Sequence, residues 1–257
     1  MLVDPAELWY REEQQPFTGW DFSHLAGRLV EERPPWSYLD RAAALLDAST
    51  SVLDMGTGGG ERFLSMRDHW PSTVTATEEY PPNVALARRR LEPLGVRVVE
   101  ARLTDIDRLP FKDNEFDLVL NRHSAFNSAE VGRVLARGGT FFTQQVHGRS
   151  AEDLMAVFGA HPQWPDSTPE KYLPRLRAAG LEVSDVRDWH GRFAFKDVGA
   201  VVYYLKAVPW LVPGFSVTTH LDRVRHLQSK LDAGVELAFT TRSYLIEAKR
   251  LERPTLD

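Results

Sequence analysis

From residue 51 to about residue 147, short apolar runs alternate with longer runs in which apolar residues recur every three or four positions. "SVLDM" (51–55), "TVTATE" (73–78), "VRVVEA" (96–101), "FDLVLNRH" (116–123) and "GTFFTQQV" (139–146) have the length and the β-branched or aromatic content of buried strands. Between them, "RFLSMRDHW" (62–70), "NVALARRRLEPLG" (83–95) and "SAEVGRVLA" (128–136) have helical spacing. Alternating strands and helices with short connections predict an α/β chain: a doubly wound, mostly parallel sheet with helices on both faces.

The flanks have a different rhythm. Ala6–Gln14 and Ser37–Asp47 are predicted helices, interrupted by Pro16, Gly19, Pro34 and Pro35. This N-terminal stretch is rich in aromatic rings (Trp9, Tyr10, Phe17, Trp20, Phe22, Trp36, Tyr38), which suits either a packed helical layer or a lid over a flat ligand. After residue 148, "AEDLMAVFG" and "PEKYLPRLRAAG" read as helices and "LEVSDVRDWHGRFAF" as a strand. "DVGAVVYYLKAVPW" fits a helix or a buried strand, and helix is preferred; "DRVRHLQSKLDAG" is a helix and "RSYLIEAKR" a final strand. No linker composition separates these parts. One domain is therefore expected over 1–257: an N-terminal helical cap (1–48), a core (49–147), and a C-terminal part with a cap insertion at about 196–232.

Composition narrows the chemistry. The 257 residues suffice for a real core, and the mixture of 43% hydrophobic with 26% charged residues is that of a globular chain. Net charge is −5 with no basic block, so nucleic acid is an unfavoured partner; Arg88-Arg89-Arg90 reads as a solvated helix face. Cysteine is absent, which excludes a thiolate nucleophile, a cysteine-bound iron–sulfur cluster and a cysteine-rich zinc site. The eight histidines form no close pair, and no metal site is expected. The N-terminus lacks a signal pattern and no apolar run approaches the ~18 residues of a membrane span, so a cytoplasmic protein is expected.

Four of the 17 glycines crowd into "LDMGTGGGE" (53–61), between the first core strand and its helix. Ligands of open α/β sheets approach the backbone at such a place. A phosphate-binding P-loop would end in Gly-Lys-Ser/Thr, but Glu61-Arg62 follow here. A dinucleotide fingerprint would need glycine or alanine at position 61, and a glutamate there repels a pyrophosphate. What remains, Asp54-x-Gly56-x-Gly58-x-Gly60, resembles motif I of the class I S-adenosylmethionine-dependent methyltransferases. Glu78, 24 residues after Asp54 at the end of the second strand, has two carboxylate oxygens for the hydroxyls of a ribose. The run "LTDIDRLPFKDNEFDLVLNRHSAF" is similar to that superfamily's Asp-x-x-x-Leu-Pro-Phe stretch and following strand, and "RVLARGGTFFTQQV" to its Arg-Val-Leu-x-x-Gly-Gly strand entry.

The resemblance covers about residues 50–147. It implies a Rossmann-like sheet of seven strands, the last antiparallel, with S-adenosylmethionine as cofactor. It implies that Asp54, Gly56 and Gly58 border the methionine part, Glu78 the ribose, and Asp105 and Ile106 the adenine, with Glu79 also among the cofactor-binding residues. Asn121 is expected to face the methyl donor, and Trp20 to touch the cofactor. His123 is the first candidate general base, with His147 and Asp197 behind it. Trp189, His190, Phe193, Asp197, Tyr203, Tyr204, Trp210 and Phe215 are candidates for a substrate cavity or for core. The expected acceptor is a small molecule; an RNA acceptor, a non-catalytic S-adenosylmethionine-binding protein and, more distantly, a nicotinamide dehydrogenase are the alternatives. Covalent methylation at cytosine C5 and radical chemistry both need cysteine and are excluded. Oligomeric state is not legible.

Overall fold

In a strand, successive side chains point to opposite faces, so each central strand here must supply two cores at once. The computed structural model describes residues 5–17 and 21–252, and it shows this division plainly. Of β2 (Ser51–Met55), Leu53 and Met55 enter one core and Val52 the other; of β5 (Phe116–Arg122), Val119 goes one way and Leu118 and Leu120 the other; of β6 (Leu135–Val146), Phe141 and Phe142 part in the same way. Helices α5 (Ser128–Val134) and α7 (Pro169–Ala178) close the first core with Val131, Val134, Tyr172 and Leu176. On the other face, α2 (Tyr38–Asp47) and α4 (Pro81–Leu91) contribute Tyr38, Ala42, Leu46, Ala87 and Leu91.

Hydrogen-bonded neighbours run β1 (Leu29–Glu31), β7 (Leu181–Phe195), β8 (Leu237–Arg250), β6, β5, β2, β3 (Thr73–Glu78) and β4 (Arg97–Glu100). Strands β4, β3, β2, β5 and β6 are parallel, while β8 (Leu237–Arg250) is antiparallel to β6, from Thr140 opposite Lys249 to Val146 opposite Ser243. The chain divides into two compact units. One comprises residues 35–146, 167–188 and 243–257 and holds the parallel strands. The other comprises residues 1–34, 147–166 and 189–242. Its core is formed by α1 (Pro5–Glu13), α6 (Glu152–Val157), α8 (Val198–Ala207) and α9 (Leu221–Asp232), with Phe193, Phe195 and Phe239 from β7 (Leu181–Phe195) and β8. Among the described residues, no helix is long and apolar enough to cross a membrane.

Three expectations are corrected. The sheet has eight strands, not seven: β1 (Leu29–Glu31) pairs antiparallel with β7 at Leu29 opposite Phe195. Three residues are too few for a periodicity to be visible. The helix expected over 62–70 stops early, as α3 (Glu61–Leu64) followed by a separate turn at Arg67–His69; the Trp70 indole donates to the carbonyl of Phe63 at 3.2 Å. Asp197, expected as a reserve general base, is already engaged. It accepts from Ala200 N–H at the start of α8 and from two guanidinium nitrogens of Arg28 at 2.6 and 2.9 Å. Burial alone would raise its pKa, but Arg28 and the helix N–H groups outweigh it and hold the carboxyl low.

Candidate functional site

The glycine loop is shaped by its neighbours. Gly56, Gly58 and Gly60 all take left-handed φ values of +71°, +62° and +85°. At Gly56 there is a steric demand as well, because a Cβ there would stand 2.4 Å from Ser124 Cβ. Residue 57 donates its N–H to Thr77 O at 2.9 Å, and Gly58 N–H donates to Glu78 Oε2 at 2.7 Å. The other Glu78 oxygen accepts from the N–H groups of Glu79 and Tyr80 at 3.0 and 2.9 Å. Glu78 is only 6% exposed, so three backbone donors fix a buried carboxylate at the end of β3 against the loop after β2. Glu79 reaches the other way and accepts from Leu103 N–H at 3.1 Å, tying this strand end to the loop that carries Asp105 and Ile106.

Asp54 is buried at the end of β2, and its pKa rises to about 6. Burial is the main cause. The Thr57 hydroxyl opposes it, the nearby Glu78 charge adds to it and the Arg122 charge opposes it. The adenine-side candidates stand in the open. Asp105 is held by Arg175 at 3.1 Å and Lys171 at 3.4 Å, both on α7, and the first of these does most to lower its pKa. Ile106 is 83% exposed, an uncovered apolar side chain.

Asn121, expected to face the methyl donor, is 0% exposed. Its amide donates to Met55 O at 3.3 Å and accepts from Thr143 Oγ1 at 2.9 Å and from Gln145 Nε2, so its side chain is spent inside the sheet. His123 follows one residue beyond β5 with φ +56°, a conformation that costs a non-glycine residue of order 1–3 kcal/mol. Its Nε2 lies 3.3 Å from Gln144 Nε2, and its pKa is lowered by the protein packed around the ring and then by the charges of Arg122 and Arg62, although part of the residue stays exposed. Such an imidazole is a poor proton acceptor near neutral pH. His147 is buried, with Nδ1 accepting from Arg149 N–H at 3.1 Å. Trp20 lies outside the described residues. Phe193, Tyr203 and Phe215 sit in the core of the second unit. Among the described residues no group of acidic and histidine side chains is arranged to hold a metal ion.

Some neighbours of the site were visible in the sequence only as members of the aromatic N-terminal stretch, without their partners. Tyr38, from α2, stacks on Phe142 at 4.9 Å, and the Arg122 guanidinium lies 5.9 Å from the Tyr38 ring. Trp36 Nε1–H donates to Gln144 Oε1 at 2.9 Å across 108 residues of sequence. Arg122, adjacent to Asn121, was assigned no role from the sequence.

Residues 53–143 match the family model described as "Methyltransferase domain". The demethylmenaquinone methyltransferase of Thermus thermophilus is 38% identical over 174 residues, covering 54% of this chain and 78% of that protein. The chain belongs to the class I S-adenosylmethionine-dependent methyltransferases. S-adenosylmethionine is the cofactor of this methyltransferase. A fatty-acid O-methyltransferase of Mycolicibacterium smegmatis is 32% identical over 143 residues; these cover 51% of the methyltransferase and 47% of that relative, so the match spans about half of each. The solved structure of a Bacillus halodurans C-125 protein shares the fold, with a TM-score of 0.59 at 20% identity, over 83% of the methyltransferase and 97% of that chain.

Proposed function

We propose that the methyltransferase transfers its methyl group to a small-molecule acceptor by in-line displacement, with the cofactor along the C-terminal ends of β2 and β3 and the loop after β4. The carrying observation is the Gly58–Glu78 hydrogen bond of 2.7 Å, which ties a strand-end carboxylate to a loop that tolerates no side chain at Gly56. This cradle suits the group. After its three backbone bonds Glu78 keeps a free lone pair on Oε2, the oxygen that accepts only from Gly58, for a ribose hydroxyl. Asp54 would hold the ammonium of the methionine part, whose charge would compensate a carboxylate that burial disfavours. Asp105 would accept from the adenine amino group, and Ile106 would bury its exposed side chain against the ring.

When bound, S-adenosylmethionine supplies a methyl group already activated on a sulfonium sulfur. The chain's task is then mainly to position the acceptor and to exclude water. The relatives act on demethylmenaquinone and on a fatty acid by their names, which supports an acceptor of small size.

Calorimetric titration with S-adenosylmethionine, S-adenosylhomocysteine and NAD tests the reading. Micromolar-range binding of the first two, absent for NAD and lost in Glu78→Ala and Gly58→Val, is expected. Undiminished binding in both variants would refute the assigned cradle. Tight, strongly salt-dependent RNA binding would favour the RNA acceptor instead.

A further inference from the structure

We infer that Trp36 and Gln144 are positioning residues that hold His123 neutral with its proton on Nδ1, and that this N–H and the Arg122 guanidinium receive an acceptor arriving as an oxygen anion. The inference deepens the proposed function and rests on it for the location of the methyl donor.

The argument starts at Trp36. An indole Nε1–H can only donate, so the Gln144 atom 2.9 Å from it must be the carbonyl oxygen. The amide NH2 of Gln144 is then the group 3.3 Å from His123 Nε2. An NH2 can only donate, so His123 Nε2 must accept with its lone pair. A ring that accepts at Nε2 carries its single proton on Nδ1. The backbone secures the same pair, because His123 N–H donates to Gln144 O at 2.9 Å. Nδ1 has no hydrogen-bond partner among the described residues, and His123 is exposed. What the residue offers a ligand is therefore an N–H donor and not a base.

Arg122 completes the pattern. It is the last residue of β5, one position beyond Asn121, which pairs with Met55 at the entry to the glycine loop. Among the described residues its guanidinium makes no hydrogen bond or ion pair; the Tyr38 ring is the group it faces. Arg62 adds like charge, and Asp54 offsets part of it. Two cations and a neutral N–H donor at one strand end favour an anion.

Such an acceptor needs no base. Its oxygen forms the bond to the methyl carbon with its own electron pair, while the carbon–sulfur pair returns to sulfur. One positive and one negative charge disappear together, and no proton has to leave. A carboxylate, or an enolate-type oxygen, has this property.

The test is 15N NMR of the histidine-labelled full chain, with His123→Asn assigning the signal. A neutral ring with the proton on Nδ1, unchanged between pH 8 and 5.5, is expected. Gln144→Glu places a carboxylate, which only accepts, against Nε2 and should move the proton there; Trp36→Phe frees the amide to turn and should mix the two tautomers. A proton on Nε2 in the wild type, or titration near the ordinary value of about 6.5, overturns the relay. The chain loaded with S-adenosylhomocysteine is then titrated with octanoate and with octanamide. Octanoate should shift the His123 Nδ1 signal and bind at least ~10-fold more tightly; equal responses, or none, overturn the anionic acceptor. Failure of S-adenosylhomocysteine to bind would sink the cofactor reading instead, leaving the tautomer result standing.

Discussion

The two ends of the candidate cofactor site are built differently. At the Asp54–Glu78 end the polar groups are buried, the glycine loop is pinned by Glu78, and a Cβ at Gly56 has no room. At the Asp105–Ile106 end an ion-paired carboxylate and an apolar side chain stand in solvent, anchored through Glu79 and Leu103. The first end is organised before the ligand arrives. The second gains its burial only when something covers it. Specificity for the methionine and ribose parts should therefore be paid for in folding stability, and adenine recognition in binding.

The largest expected effect is at Gly56. Gly56→Val combines a left-handed φ with a 2.4 Å clash against Ser124, so a loss of at least ~3 kcal/mol in stability and of measurable cofactor binding is expected, read by chemical denaturation and calorimetry. Gly58 has a left-handed φ but open space around it, so Gly58→Ala should cost only about 1–2 kcal/mol; equal losses at the two positions would remove the distinction between clash and backbone strain.

Asp54→Asn should act in the opposite direction on the free protein. The folded pKa of about 6 lies above the ordinary 3.8, so the stability linked to this proton is complete below about 3.8 and is lost as pH rises through about 6. At pH 8 the amide should therefore stabilise the free chain by up to ~3 kcal/mol while weakening S-adenosylmethionine binding. An unchanged melting temperature at pH 8 would refute the strained carboxylate. Glu78→Gln should weaken binding by about 2 kcal/mol, or ~30-fold, because an NH2 would face backbone donors at one oxygen position. The smallest effect belongs to the exposed end. Asp105→Asn should change stability by under ~1 kcal/mol, since its pairs with Arg175 and Lys171 are at the surface. A stability loss there matching that at Gly56 would abolish the contrast between the two ends.

Part of this site was legible because its signals are local. A strand, a turn that demands left-handed backbone and an acid at the next strand end lie within 25 residues of one another (54 to 78, inclusive), and each leaves its own mark in residue type. The alternation that predicted the parallel strands is equally local, since side-chain direction repeats every two residues. The role of Asn121 was not legible, because whether a strand-end amide faces a ligand or its own sheet depends on Thr143 and Gln145 of a different strand. Nor was the state of His123, which depends on an indole 87 residues earlier acting through Gln144.

The sequence by itself determined the α/β order of elements, the glycine loop, Glu78 at the end of β3 and the cofactor class. Only the tertiary structure decided which candidate polar groups are available: Asp197 is bound to Arg28 across 169 residues, Asn121 is locked in the sheet, and His123 has its acceptor nitrogen already engaged. The physical reason is that periodicity and backbone conformation are written in neighbouring residues. The protonation state and free valence of a polar group, in contrast, are set by whichever distant residues packing brings within hydrogen-bond distance of it.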